Sequence, residues 1–243
     1  MLLTIDIGNT ATKYGIFDRK GSLLHRGVVT DPSSIPQNIL EEYSVKSAIY
    51  SATGQISDVM MAQIKGFEHH VKLDHLIPVP ITSEYTTPAT LGRDRLAAVC
   101  GAHWLFPEQN ILIIDAGTCI TYEVLTANGH YLGGNIAPGL KMRLQAMHEF
   151  TAQLPIVPLS LPPSFIGNST KTALQNGAVM GSLMEISDFR RRIQRKLGKT
   201  KTILTGGDAI FLANSLKFKT FVHRDLVLTG LYSIYAYNFF TKV

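Results

Sequence analysis

Asp6 closes a short apolar run, residues 2–5, and is followed by Gly8, Asn9 and Thr10. A carboxylate at the end of a buried strand, beside glycine, suits one kind of chemistry. Glycine lets backbone N–H groups come close to phosphate oxygens and so forms an anion-binding concavity, and the threonine hydroxyl adds a donor. A carboxylate repels phosphate directly. It therefore needs a cation in between, the part Mg²⁺ plays between carboxylates and nucleotide phosphates. Lys13, two strand positions past Ala11, shares a face with it and can reach the same phosphates. The pattern recurs 109 residues later, where residues 111–114 lead to Asp115 and Gly117-Thr118 turns the chain. A single corner of this kind is explained by an Asp-capped hairpin turn. Two in register, each with matching strands, are read as a duplicated phosphate-binding device.

Three further constellations stand out. Gly92-Arg93-Asp94-Arg95 precedes a helical pattern; Asp94 can be a first-turn acid, or a general base beside cations able to hold a carboxylate. Tyr131-Leu132-Gly133-Gly134-Asn135-Ile136-Ala137-Pro138-Gly139 reads as a ligand-facing loop with two glycine corners that leads into a helix N-terminus. Leu204-Thr205-Gly206-Gly207-Asp208 ends a strand with paired glycines, either as a flat rest for an adenine or ribose or as a tight strand-to-helix turn.

The elements that must carry these residues are legible from periodicity. Apolar runs at 2–7 and 12–18 flank Gly8-Asn9, a hairpin signal because tight turns need positive φ. Runs at 111–115 and 120–125 flank the second corner, and a third strand, 130–132, follows Asn128-Gly129. Strands at 47–50 and 201–204 run into Ser51-Ala52-Thr53-Gly54 and Thr205-Gly206-Gly207-Asp208. Helical periodicity covers 94–105, 140–150, 170–197 and 226–237. Pro155, Pro158, Pro162 and Pro163 mark an extended connection. Strands and helices mixed in each half, led by hairpins, predict two α/β lobes with a cleft between them.

Composition fits this reading. The chain has 243 residues, 45% hydrophobic and 17% charged, which argues against disorder. Its net charge of +5 is spread along the chain, and the dense run from Arg190 to Lys201 reads as a solvated helix face. No nucleic-acid partner and no membrane partner is expected. Cys100 and Cys119 have no metal-ligand or disulfide spacing and read as reduced thiols of a cytoplasmic protein.

Taken together, Asp6-x-Gly8-Asn9-Thr10 with Lys13, Leu91-Gly92-x-Asp94-Arg95, Asp115-x-Gly117-Thr118-x-x-Thr121, Gly133-Gly134-x-Ile136-x-Pro138-Gly139, Thr151-Ala152-x-Leu154-Pro155, Gly167-x-x-Thr170 and Thr205-Gly206-Gly207 occur in an order and spacing that resembles type III pantothenate kinases. The likeness runs from residue 3 to about residue 231. It implies duplicated ribonuclease H-like (actin-like ATPase) lobes with mixed sheets and a nucleotide cleft between them, an N-terminal lobe at 1–109 and a C-terminal lobe at 110–243. It implies ATP-dependent phosphorylation of pantothenate to 4′-phosphopantothenate, the first step of coenzyme A biosynthesis.

By the same resemblance Asp6, Ile7, Gly8, Asn9, Thr10, Ala11, Thr12, Lys13 and Thr118 would contact ATP, with Asp6 on the Mg²⁺ side. Asp115 would help hold a monovalent cation, K⁺ or NH₄⁺. Tyr85, Gly92, Arg93, Asp94, Arg95 and Thr170 would bind pantothenate, Asp94 acting as the base, in a homodimer whose substrate site lies near the interface. The family often has Asp where this chain has Glu123, and Lys-Asp where it has Asn168-Ser169. Alternatives are another small-molecule kinase of the same superfamily, such as a sugar or acetate kinase, or a non-catalytic transcription accessory factor on the same fold.

Overall fold

The computed structural model describes residues 1–8, 11–30 and 34–240. Asn9 and Thr10 of the first corner lie outside the described residues. In chain order the elements are β1 (Leu2–Ile7), β2 (Thr12–Phe17), β3 (Leu23–Val29), α1 (Gln37–Glu42), β4 (Ser47–Ala52), α2 (Asp58–Lys65), β5 (His69–Lys72), β6 (Thr82–Ser83), a 3₁₀ turn (Pro88–Thr90) and α3 (Arg93–Leu105). They continue with β7 (Asn110–Ala116), β8 (Cys119–Leu125), β9 (His130–Pro138), α4 (Leu140–Glu149), α5 (Thr170–Gln175), a π-helical turn (Asn176–Met180), α6 (Gly181–Leu197), β10 (Thr200–Thr205), α7 (Ala209–Ser215), β11 (Phe221–Val222) and α8 (Leu226–Phe239).

The chain forms two compact units. The first comprises Met1–Glu108, Ala127–Leu132 and Asp225–Val243. Its sheet has the order β3-β2-β1-β4-β5. β1 runs antiparallel to β2 and parallel to β4, and β4 parallel to β5. A strand in the centre of such a sheet is covered on both faces, so β1 is apolar almost throughout, whereas the edge strand β3 alternates half-buried and exposed residues. Leu3, Ile5 and Ile7 of β1 join Tyr14, Ile16, Leu40, Met60 and Ile64 in one core with α1 and α2. α3 and α8 pack against strands of the same sheet.

The second unit comprises Gln109–Thr126 and Gly133–Arg224. Its strands follow the order β11-β10-β7-β8-β9. β7 is antiparallel to β8 and parallel to β10, and β10 parallel to β11. Read from the central strand outward, this is the same arrangement as the first sheet, which is the architectural form of the duplication seen in the two corners. A smaller core of Leu144, Val157, Leu174 and Ala178 joins α4, α5 and the π-helical turn to the proline-rich connection.

Three local outcomes differ from the periodicity. The stretch expected as a loop at 133–139 continues β9 to Pro138, with Gly139 as N-cap of α4. Gly134 marks a close strand approach here and not a corner: a side chain there would collide with the Tyr122 carbonyl oxygen of β8. The helical pattern at 170–197 is interrupted by the π-helical turn. α8, in the C-terminal half by sequence, packs within the first unit. Every residue from Leu226 to Tyr235 in it is buried, and a helix apolar on all sides must be enclosed on all sides. α3 provides much of that enclosure, its middle from Arg95 to Ala102 being equally buried. No helix among the described residues is long and apolar enough to cross a membrane.

Candidate active site

In the first unit the site is built on the end of β1. Asp6 lies directly opposite Lys13 in the β1–β2 ladder and opposite Ser51 in the β1–β4 ladder. Directly opposed residues present their side chains on one face, so the lysine and the serine both flank the carboxylate. Ser51 is fully buried, and its hydroxyl donates to Asp6 Oδ1 at 3.1 Å. Burial raises the Asp6 pKa above the ordinary carboxylate range. Lys13 and the Ser51 bond offset part of this, and the charge of Asp94 adds to the rise. Thr53 and Gly54 donate their N–H groups to the Ile7 carbonyl at 2.9 and 3.2 Å, which holds the end of β4 against the corner. The Gly8 N–H donates to the Ala11 carbonyl at 3.3 Å, across the turn.

Asp94 is the second residue of α3, and Gly92 caps the helix without a side-chain bond. Asp94 Oδ1 accepts from the Arg95 N–H at 2.8 Å. A side-chain carbon on Gly92 would stand only 2.6 Å from that oxygen, so glycine leaves the carboxylate its space. Beside the positive end of the helix dipole an acid in the first turn is an ordinary structural choice. The first-turn role and a catalytic role are thus compatible, and Asp94 is close enough to Asp6 for its charge to be felt.

The two arginines beside Asp94 are used differently. Arg93 turns its guanidinium to the carbonyls of Pro88 and Ala89, at 2.8 and 2.9 Å, and so fastens the 3₁₀ turn to α3. Arg95 is buried, with its guanidinium 5.7 Å from the centroid of the Tyr85 ring. Its terminal nitrogens lie 3.5 Å from the Tyr85 hydroxyl and 3.4 Å from that of Tyr131. The Tyr85 and Tyr131 rings are parallel within 2°, their centroids 6.2 Å apart. One unit thus gathers Asp6, Lys13, Tyr85, Gly92, Asp94 and Arg95. Ser51 and Tyr131 join them; the Ser51–Gly54 block was noticeable as the counterpart of Thr205–Asp208 and Tyr131 as the head of the glycine-rich stretch to Gly139, but neither side chain was assigned a part there.

In the second unit Asp115 is opposite Thr121 on one side and Thr205 on the other. The two acids therefore occupy equivalent register positions, and each faces a hydroxyl residue on the neighbouring parallel strand. Threonine stands at the second corner where lysine stands at the first. The glycine motifs converge on this corner. The Gly139 N–H donates to the Thr118 carbonyl at 3.0 Å, and the Gly117 N–H to that of Cys119 at 2.9 Å. Gly206 has φ +90°, and a side chain there would collide with Asp115 Oδ1 and the Ala116 carbonyl. The Asp208 N–H donates to that carbonyl at 2.9 Å; burial raises the Asp208 pKa, with Lys141 partly offsetting it.

Glu123, one of the departures from the family pattern, is completely buried in β8. Beside it the Tyr122 hydroxyl donates to Glu185 at 2.7 Å, and Arg143 pairs with the other oxygen of Glu185 at 2.6 Å. Thr118 and Thr170 are both exposed, the latter as the first residue of α5. The Asn168-Ser169 departure supplies that helix with its cap, since Ser169 and Thr172 form a reciprocal capping box.

Residues 2–192 match the family model described as type III pantothenate kinase. A protein of Phocaeicola vulgatus named type III pantothenate kinase is 40% identical over 241 residues, covering 98% of this chain and 99% of its own. The chain belongs to the type III pantothenate kinase family. Solved structures extend the likeness in fold alone. A conserved Baf family protein from Campylobacter jejuni superposes with a TM-score of 0.63 at 22% identity, covering 97% of this chain and 98% of its own. The activator of 2-hydroxyisocaproyl-CoA dehydratase from Clostridium difficile, solved with bound ADPNP, does so at 0.52 and 14%, covering 96% and 94%. The repeated strand order of this type III pantothenate kinase family member is the actin-like ATPase architecture expected from its motifs.

Proposed function

We infer that this chain transfers the γ-phosphoryl group of ATP to the primary hydroxyl of pantothenate, giving 4′-phosphopantothenate and ADP. Family membership supports the reaction, and the placement of Asp94 beside the Asp6 corner, within one unit, carries the mechanism. Asp94 accepts the hydroxyl proton as the oxygen forms its bond to the γ-phosphorus and the bond to the β,γ-bridging oxygen breaks. Such a transfer depends mainly on positioning and charge neutralisation. Lys13 and the backbone N–H groups of both corners hold phosphate oxygens, Thr118 contacts ATP, and Tyr85, Arg95 and Thr170 orient pantothenate. Gly92 gives the base its space, and Arg93 holds the adjoining turn.

A kinase of this family works with ATP and a divalent metal ion. Asp6 fits that requirement: it is an enclosed carboxylate whose pKa is raised by desolvation in spite of a lysine and a serine bond, so a bound cation would offset what burial costs. Asp6 would hold Mg²⁺, which would supply positive charge against that of the phosphates. Asp115 takes the monovalent cation, K⁺ or NH₄⁺, in this reading; its Oδ1 and the Ala116 carbonyl both crowd the position a side chain on Gly206 would fill, so two oxygen donors stand near one another there. Cys100 and Cys119 are free thiols, in keeping with a cytoplasmic enzyme.

A coupled ADP-release assay with pantothenate, glucose and acetate, each in K⁺ and in Na⁺, tests the reading. The expected result is turnover on pantothenate alone and only with K⁺. Turnover on glucose or acetate but not pantothenate would overturn the substrate. Asp115→Ala should abolish stimulation by K⁺, and an unaltered K⁺ response would remove that role from Asp115.

The enzyme is also proposed to work as a homodimer. Support comes from the second unit, where Phe150, Ile156, Phe165 and Ile166 are each more than half exposed, large apolar side chains that association would cover. Sedimentation analysis should return twice the 26.7 kDa chain mass, and a monomer at assay concentration would contradict it.

A further inference from the structure

β6 is only two residues long, yet Tyr85 follows it closely and depends on where it lies. The Thr82 N–H donates to the Gly129 carbonyl at 3.0 Å and the Glu84 N–H to that of Tyr131 at 3.1 Å. A strand this short at the edge of a sheet gains little from pairing alone. The side chains supply more. Thr82 pairs with His130 and Ser83 with Tyr131 in the parallel ladder. On one face the imidazole of His130 reaches both ends of β6, with Nδ1 2.8 Å from Thr82 Oγ1 and Nε2 2.9 Å from Glu84 Oε1. An ionised carboxylate only accepts, so Nε2–H donates to Glu84, and in the neutral ring Nδ1 is left to accept from the Thr82 hydroxyl. The two bonds thus support one another's geometry. Next along the same two chain segments come Tyr85 and Tyr131, stacked together, with Arg95 beneath them and Asp94 adjacent to it in α3.

We propose that His130 is a positioning residue for the acceptor substrate: by clamping Thr82 and Glu84 it fixes the Tyr85–Arg95 wall beside Asp94. This rests on the function proposed above, in which that wall binds pantothenate. The clamp touches neither the Asp6 corner nor Asp94, so it acts on acceptor binding and not on the nucleotide or the chemical step.

The test is His130→Ala together with His130→Gln, which keeps an N–H donor for Glu84, and the double variant Glu84→Gln/His130→Ala. His130→Ala should raise KM for pantothenate about tenfold, the scale of a lost hydrogen bond to a charged group. KM for ATP, kcat at saturating pantothenate and Tm should stay near those of the parent. His130→Gln should recover part of the loss, and the double variant should add little to His130→Ala, because the pair acts as a unit. Amide hydrogen exchange provides a readout that needs no turnover: the Thr82 and Glu84 N–H groups should exchange faster in His130→Ala while those of α3 do not. An unchanged KM for pantothenate with unchanged exchange would overturn the clamp, as would parallel rises in both KM values with a fallen Tm. If the parent protein phosphorylated no pantothenate, the function would fall, and the exchange comparison would still decide whether His130 holds β6.

Discussion

Asp94→Asn should lower kcat for pantothenate phosphorylation by about 10²–10⁴-fold, the usual contribution of a positioned general base. Asparagine has nearly the same shape and keeps an oxygen able to accept from the Arg95 N–H, so the start of α3 should be undisturbed. What it loses is the capacity to take the hydroxyl proton. ATP binding should survive, because burial is the main cause of the raised Asp6 pKa and remains, while the loss of the smaller repulsion from Asp94 works in favour of the ionised Asp6 carboxylate. Steady-state kinetics combined with nucleotide titration separate the two effects. Near-normal turnover in the variant would take the base assignment away from Asp94. Loss of nucleotide binding together with turnover would make Asp94 part of the phosphate corner instead.

Gly230→Ala should destabilise the protein by about 2–3 kcal/mol, the scale of overpacking a close contact. For a chain of this size that corresponds to a fall in Tm of about 2–4 °C per kcal/mol. In an isolated helix the same change would be favourable by about 1 kcal/mol, since alanine is the better helix former. The sign reverses because of α3. A side-chain carbon on Gly230 would be driven into the Ala97 carbonyl and stand 3.0 Å from the Gly101 nitrogen, and one on Gly101 would be driven into the Leu226 carbonyl. The two glycines face each other where α3 and α8 cross, and they let the backbones come together as larger residues would not. Gly181→Ala makes the matching control, as nothing lies within 4 Å of a side chain there, and it should hold or raise Tm. If Gly230→Ala and Gly181→Ala behaved alike in thermal unfolding, the close crossing would not be what seats α3. Because α3 carries Asp94 and Arg95 at its start, the crossing also bears on the site.

The residues proposed as phosphate corners and as base stand out in the sequence for a local reason. An acid at the end of an apolar strand beside glycine, and an acid in the first turn of a helix behind glycine, are choices that packing alone does not favour. Chemistry leaves them visible within a few residues, and their repetition made the duplicated α/β fold legible as well. Periodicity likewise found the long helices and the central strands, since each element buries a face whose spacing is its own.

The tertiary structure alone decided which distant residues serve those groups. Ser51 meets Asp6 across 45 residues because β1 and β4 pair in parallel at that register. His130 reaches Thr82 across 48 residues because β6 and β9 pair, and Tyr131, next along β9, meets Arg95 of α3 across 36. α8 joined the first unit because α3 and the strands β1, β2 and β4 enclose its apolar surface. In each case the partner is selected by a ladder register or a glycine-to-glycine approach, quantities that no stretch of chain carries by itself. The chemistry proposed for Asp6, Asp94 and Asp115 is suggested by their local sequence; the side chains beside Asp6 and Asp115 were assigned by strand pairing.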